Sequence, residues 1–70
     1  MKNNIRVERA ILNITQEELA QRINVSRQSI HAIENGKYVP SAILALKIAR
    51  VFNKAVEDIF QLEESDIHQI

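Results

Sequence analysis

The sequence contains no cysteine and no tryptophan, and it has only one glycine, one proline, one tyrosine and two phenylalanines. The absence of cysteine excludes a disulfide scaffold and a thiolate zinc site. A single glycine excludes a glycine-rich phosphate-binding loop, and so few glycines and prolines argue against a turn-rich β fold or a disordered tract. With 70 residues, the chain has room for one small domain but not for a two-domain catalytic cleft.

Long hydrophobic runs and histidines are also scarce. The longest uninterrupted apolar run covers residues 42–46, which is far too short to span a bilayer, so we expect a cytoplasmic protein with no membrane partner. His31 and His68 are the only histidines. His31 and Glu34 form an i, i+3 pair, but two ligands do not make a metal site. We therefore expect no metal, no cofactor and no catalytic residue, and hence no enzyme.

The net charge is zero, but the charge is divided along the chain. All nine Lys and Arg residues lie at or before Lys54 with four acids, which gives residues 1–54 a net charge of +5. Residues 55–70 contain five acids and no Lys or Arg, which gives them −5. This division suggests that the basic residues 1–54 bind a polyanion and that the acidic residues 55–70 make a different contact.

Helix caps and hydrophobic periodicity predict a single all-α domain. Thr15 and Glu18 form a capping box, Ser26 and Ser41 occupy N-cap positions, and Asn24 suits a left-handed helix end. The five predicted helices cover residues 4–12, 16–23, 27–34, 42–52 and 56–60. We expect residues 1–60 to form the domain and residues 61–70 to form an acidic C-terminal tail that contacts the core or a second copy.

The second and third predicted helices are joined by a tight turn at Asn24 and Val25. Ala20 lies where the two helices cross, and its small side chain permits a close approach. Val25 and Ile30 fill the angle between them. This is the pattern of a helix-turn-helix, whose second helix is presented to the major groove of DNA. Two short helices and a turn also occur in bundles that bind no DNA, so the pattern alone leaves both readings open.

Four stretches carry a family resemblance: residues 15–20 (TQEELA), 25–30 (VSRQSI), 32–37 (AIENGK) and 45–49 (ALKIA). With them, residues 2–60 resemble the Cro/lambda-repressor (XRE-type) helix-turn-helix regulators. The resemblance implies a five-helix lambda-repressor-like DNA-binding domain. It also implies a prokaryotic or phage transcription regulator that binds double-stranded DNA as a homodimer.

The resemblance also implies which residues contact DNA. Arg27 and Gln28, in the first turn of the third helix, would reach base edges, where Arg can bind guanine and Gln can bind adenine through two hydrogen bonds each. The structural alternative is that both are ordinary solvated side chains. The other implied contacts, mostly to the sugar–phosphate backbone, are Gln16, Ser26, Ser29, His31, Ala32, Asn35, Lys37 and Tyr38. Of these, Ala32 would touch only a thymine methyl group, and His31 is equally well an exposed spectator.

Arg9 and Glu34 match family positions that form a largely buried ion pair. By this resemblance the pair would link the first helix to the end of the third and orient the reading helix, which is a structural role. Ala55 stands where relatives often have a Ser or Thr cap, so we expect Asn53 to cap the last helix one turn earlier.

An apolar patch is expected on the first helix, because Ile11 stands at a position that is often charged in relatives and lies near Val7. We expect the C-terminal tail, from the same chain or from a second copy, to cover this patch through Leu62, Ile67 or Ile70.

Two functions follow from the sequence. The first is a sequence-specific DNA-binding transcriptional regulator whose helix 27–34 reads the major groove, as a homodimer on an inverted repeat, with dimer contacts near Phe60 and Leu62. The alternative is an antitoxin-like protein-interaction module whose main partner is a protein bound through the C-terminal tail. Substitution of Arg27 and Gln28 discriminates between them, because only the regulator would lose its partner.

Overall fold

Six helices and one short pair of strands make up the computed structural model, which describes residues 1–68. The helices are α1 (Ile5–Leu12), α2 (Gln16–Ile23), α3 (Arg27–Glu34), α4 (Ala42–Val51), α5 (Val56–Ile59) and α6 (Glu64–Ile67), and the strands are β1 (Lys2–Asn3) and β2 (Phe60–Gln61). The predicted all-α, lambda-repressor-like fold is confirmed, and α1 to α5 begin and end within one residue of the predicted bounds. None of the helices among residues 1–68 is long and apolar enough to cross a membrane.

The helix ends follow from local side-chain chemistry. Thr15 Oγ1 accepts a hydrogen bond from the Glu18 backbone N–H, and the Glu18 carboxylate accepts one from the Thr15 N–H, both at 3.0 Å. Ser26 and Ser41 accept hydrogen bonds from the backbone N–H groups three residues later, at 3.1 and 3.2 Å. Asn24 has φ +59°, as expected for a left-handed C-cap. The predicted capping residues of α2, α3 and α4 are therefore correct.

The prediction that Asn53 caps α5 is wrong. Asn53 has φ +54°, and its N–H donates to the Arg50 carbonyl at 3.1 Å, so it belongs to the turn that ends α4. The N-cap position of α5 is Ala55, whose N–H donates to the Asp58 carboxylate at 3.3 Å. Asn tolerates the left-handed conformation better than other residues with a side chain, and this preference outweighs its preference for an N-cap here.

The hydrophobic core is built mainly from isoleucine. Six large side chains are less than 2 % exposed and come from α1, α2, α3, α4 and α5: Ile5, Leu19, Ile30, Ile33, Ile48 and Ile59. The ion pair between Glu8 and Lys54 also reaches the core, because Glu8 is only 6 % exposed and accepts a hydrogen bond from Lys54 Nζ at 2.8 Å. This pair joins α1 to the turn between α4 and α5 and satisfies a carboxylate that would be costly to bury alone.

The residues after α5 return to the N-terminus of the chain. Antiparallel pairing joins Lys2 to Gln61 and Asn3 to Phe60. Phe60 is 7 % exposed and belongs to the core of its own chain, so the expectation that it forms dimer contacts is corrected. The backbone of Phe60 is extended, with φ −118° and ψ 131°. This conformation lets its ring pack into the core while its backbone pairs with Asn3.

The expected cover over the apolar patch is not found within residues 1–68. Val7 and Ile11 remain 59 % and 67 % exposed, and Leu62 and Ile67 of the tail are themselves 70 % and 56 % exposed. The tail contacts the N-terminus instead, where the Met1 ammonium lies 3.0 Å from both the Glu63 and the Asp66 carboxylates. Ile70, the third residue expected to cover the patch, lies outside the described residues.

Candidate nucleic-acid interface

The connection between α2 and α3 is as tight as the sequence predicts. Three residues separate the helices, and the Val25 N–H donates to the Ala20 carbonyl at 3.0 Å. Ala20 is 1 % exposed and Ile30 is fully buried, while Val25 is half-buried against the core. Because Ile30 and Ile33 anchor the inner face of α3, its opposite face is presented to solvent.

The first turn of α3 exposes the two residues predicted to read bases. Arg27 and Gln28 are both exposed, and together with His31 they line a groove of about 180 Å³. Within residues 1–68, Arg27 forms no ion pair, and the first turn of α3 contains no acid. The unpaired guanidinium and the positive end of the helix dipole therefore make this tip electropositive.

The other predicted contact residues surround this tip or follow the end of α3. The Ser26 and Ser29 hydroxyls lie 3.0 Å apart beside the N-cap, and Ala32 is half-buried. His31 Nε2 lies 3.0 Å from Asn35 Nδ2, so these two side chains orient each other. The remaining predicted contacts lie in the turn after α3, where Gly36 has φ +72°, and all three are exposed: Asn35, Lys37 and Tyr38.

A second groove, of about 470 Å³, lies at the start of α2. Gln16 lines it together with Arg9 and Arg27, so the structure brings the predicted phosphate contact close to the first predicted base contact. The Glu17 carboxylate also lines the groove. Of the two basic residues that line the groove, Arg9 of α1 is paired with Glu34, whereas Arg27 of α3 forms no ion pair within residues 1–68.

The expected ion pair between Arg9 and Glu34 is present in the structure. Arg9 Nε and Nη2 donate to the two oxygens of Glu34 at 2.6 and 3.1 Å, and Arg9 Nη1 donates to the Ile14 carbonyl at 3.1 Å. The Glu34 side chain is only 1 % exposed, whereas that of Arg9 is 15 % exposed. Two parallel hydrogen bonds fix both the distance and the angle between α1 and the end of α3.

Two further partners of Glu34 were not predicted from the sequence. Gln16 Nε2 donates to Glu34 Oε1 at 3.1 Å, and Arg6 Nε lies 3.7 Å from the same oxygen. Nearby, the Asn3 side-chain amide donates to the Ile33 carbonyl at 2.9 Å, so β1 also holds the end of α3. The spacing of these residues along the chain gives no signal for the contacts, because they arise only when α1, α2 and α3 pack together.

The environment of Glu34 makes folding pH-dependent. Burial alone raises the pKa of Glu34, but hydrogen bonds from Arg9 and Gln16 and the charges of Arg9 and Arg6 outweigh burial, so the pKa lies below the ordinary value of 4.5. A carboxyl with a lowered pKa stabilises the folded state above its unfolded pKa, and this contribution is lost as the pH falls through the folded pKa.

We therefore expect the stability advantage of the wild-type chain over an E34Q variant to be constant from pH 7 down to about pH 5 and to shrink at lower pH. Urea unfolding of both proteins between pH 7 and pH 3 measures this difference. E57Q is the matched control, because Glu57 is exposed and makes no side-chain ion pair within residues 1–68. An advantage over E34Q that persists unchanged to pH 3 would contradict the assignment.

The amino-acid sequence of this chain is similar to those of known proteins. Residues 5–59 match a family described as helix-turn-helix. An HTH-type transcriptional regulator of Methanocaldococcus jannaschii is 53 % identical over 66 residues, covering 94 % of this chain and 100 % of the relative. One from Archaeoglobus fulgidus is 52 % identical over 67 residues (96 % and 94 %), and one from Bacillus subtilis is 47 % identical over 66 residues (94 % and 100 %). All three are named as uncharacterized regulators.

Proposed function

This chain belongs to the XRE-type helix-turn-helix family, and from that premise we propose that it regulates transcription by binding double-stranded DNA through α3. The exposed pair Arg27 and Gln28 carries the proposal. Both side chains lie in the first turn of a helix whose inner face is buried, and they are the two residue types best suited to read guanine and adenine. The relatives are named as transcriptional regulators rather than enzymes, and the proposal includes no catalytic step.

Backbone contacts would surround the two base-reading residues. Gln16 at the start of α2 and the Ser26 and Ser29 hydroxyls would contact the sugar–phosphate backbone, as would Asn35, Lys37 and Tyr38 after α3. Ala32 and His31 lie further along the outer part of α3, where Ala32 could contact only a thymine methyl group. Contacts of this kind fix the register of the protein on the duplex and carry little sequence information themselves.

The proposed assembly is a homodimer on an inverted repeat. One chain measures 35 × 22 × 19 Å, so two chains side by side fit the separation of about 34 Å between successive major grooves on one face of DNA. The chain exposes apolar side chains that a second copy could bury, among them Leu46 at 60 % and Leu62 at 70 %.

Selection of binding sites from random duplex DNA tests the proposed function. We expect enrichment of an inverted repeat whose half-sites lie about 10–10.5 base pairs apart, centre to centre. A single enriched half-site would overturn the dimer proposal alone. No enrichment at low ionic strength, where electrostatic binding is strongest, would overturn the proposed function as a whole.

A protein partner bound through the C-terminal tail is the second candidate. The observation that favours it is the exposure of Leu62 and Ile67, at 70 % and 56 %, on a segment that also contains the exposed Glu64. Such a partner would bind independently of Arg27 and Gln28. The two functions are compatible, because the tail and the first turn of α3 share no residue.

A further inference from the structure

The Glu34 carboxylate has more partners than its charge requires, because Gln16 and Arg6 approach it in addition to Arg9. Arg9 alone neutralises it through two hydrogen bonds, of 2.6 and 3.1 Å. Gln16 then adds a neutral hydrogen bond of 3.1 Å to Oε1. This third bond connects the first residue of α2 to the last residue of α3, so it joins the two ends of the helix-turn-helix that lie far from the turn.

The bond also fixes which way the Gln16 amide faces. An ionised carboxylate only accepts hydrogen bonds, so the side of the amide that faces Glu34 is its NH₂ group. The two N–H bonds of a planar amide diverge by about 120°, so the second one points away from the carboxylate. Within residues 1–68 this second N–H has no hydrogen-bond partner, and Gln16 lines the groove that Arg9 and Arg27 also line.

We propose that Glu34 is a positioning residue for the contact that Gln16 makes with a DNA phosphate. This inference rests on the proposed function and goes beyond the role of Glu34 in pairing with Arg9. The buried Glu34 carboxylate accepts a hydrogen bond from one N–H of the Gln16 amide. The other N–H therefore already points toward the phosphate position before DNA binds. A side chain held in this way loses less rotational freedom on binding than a free glutamine.

The hydrogen bond between Gln16 and Glu34 would also affect the position of the protein along the DNA duplex. A phosphate contact sets where the protein sits along the duplex. Because Glu34 ends α3 and Gln16 begins α2, their hydrogen bond fixes the phosphate position relative to the helix that carries Arg27 and Gln28. Glu34, at the C-terminal end of α3, therefore helps to determine which base pairs Arg27 and Gln28 contact at its N-terminal end.

A double-mutant cycle on DNA binding tests the proposal, with Q16A, E34Q and the Q16A/E34Q double variant. The probe is the duplex selected by the wild-type chain, used at a temperature where urea unfolding shows every variant folded. A hydrogen bond to a charged phosphate is worth roughly tenfold in affinity, so we expect Q16A to bind about tenfold more weakly. E34Q should weaken binding in the wild-type background, because the amide that replaces the carboxylate has one acceptor oxygen instead of two to share between Arg9 and Gln16, and it should have almost no further effect in the Q16A background. Losses that multiply would show that Glu34 acts independently of Gln16 and would overturn the proposal.

A neutral phosphate provides a readout that a purely structural role would not change. Single methylphosphonate substitutions are scanned along one half-site, and the position at which substitution weakens wild-type binding but not Q16A binding is taken as the Gln16 contact. We expect E34Q to be less sensitive there than the wild-type chain, whereas full sensitivity in both E34Q and E34D, in which the shortened carboxylate cannot reach both partners, would overturn the proposal. Q21A is the matched control, because Gln21 is an exposed glutamine of α2 and its substitution should leave the scan unchanged.

A replacement variant and two distinct outcomes separate the positioning role of Glu34 from the proposed function. If E34Q does not fold, E34D replaces it, because Asp retains the charge for Arg9 but is one methylene too short to reach both partners, and the same loss of sensitivity is expected. If the wild-type chain enriches no duplex at all, the proposed function fails. If it binds and Q16A weakens binding but E34Q and E34D remain sensitive to the neutral phosphate, only the positioning role fails.

Discussion

Replacement of both Arg27 and Gln28 by alanine is expected to remove sequence-specific DNA binding while the chain remains folded. A bidentate contact to a base contributes about 1–3 kcal/mol of discrimination, so the loss of both should cost about 2–6 kcal/mol, or between roughly 30-fold and 10⁴-fold in affinity for the selected duplex. Fluorescence anisotropy with the selected and a scrambled duplex, at one fixed salt concentration, measures the effect.

The chain offers a closely matched control for this experiment. Gln21 and Arg22 are the same two residue types, adjacent and exposed on α2, and they do not lie in the first turn of α3. Q21A/R22A should retain specific binding and lose only a small, sequence-independent part of its affinity. Both double variants should unfold within about 0.5 kcal/mol of the wild-type chain, as is usual for exposed positions. Specific binding that survives in R27A/Q28A would contradict the assignment of α3 as the reading helix.

The same variants separate the two candidate functions. A protein partner bound through the tail should bind R27A/Q28A as well as it binds the wild-type chain, because the exposed Leu62 and Ile67 lie on a different segment. If the chain is a regulator without such a protein partner, R27A/Q28A should lose only its binding to DNA. Loss of DNA binding with full retention of a protein partner would show that both surfaces are used.

The helix-turn-helix could be predicted from the sequence because its signals are local. The capping box at Thr15, the cap at Ser26 and the left-handed Asn24 each depend on atoms within a few residues. The apolar spacing that buries Leu19 and Ile30 is equally local. Neighbouring residues therefore fix both the bounds of α2 and α3 and the exposure of the outer face of α3.

The contacts that were missed join residues far apart in the sequence. Gln16 lies 18 residues from Glu34, Lys54 lies 46 residues from Glu8, and Asn3 lies 30 residues from Ile33. A side chain on a packed helix meets whatever the tertiary fold brings to it, and periodicity does not specify that partner. The tail was misjudged for the same reason, because only the folded chain places residues 60–61 beside β1.

Replacement of Arg9 by methionine is expected to cause the largest loss of stability of any single substitution considered. Methionine retains much of the volume of the arginine stem but leaves the Glu34 carboxylate, 1 % exposed, without its bidentate partner. Removal of one member of a buried ion pair costs about 3–5 kcal/mol, a large share of the stability of a small domain. Urea unfolding at pH 7 measures this loss. R6M is the control, because the Arg6 side chain is 70 % exposed and an exposed pair contributes at most about 1 kcal/mol.

The double variant R9M/E34L separates the stability of the pair from its role in DNA binding. A buried ion pair replaced by apolar side chains of similar volume is often as stable as the original or more so, so R9M/E34L should recover most of the stability that R9M loses. It should not recover DNA affinity, because the leucine side chain that replaces Glu34 cannot accept a hydrogen bond from Gln16. A stable R9M/E34L chain that binds the selected duplex with wild-type affinity would mean that the carboxylate acts only through packing. A stable chain with weakened binding would show that the Arg9–Glu34 pair contributes to DNA binding beyond its contribution to the stability of the fold.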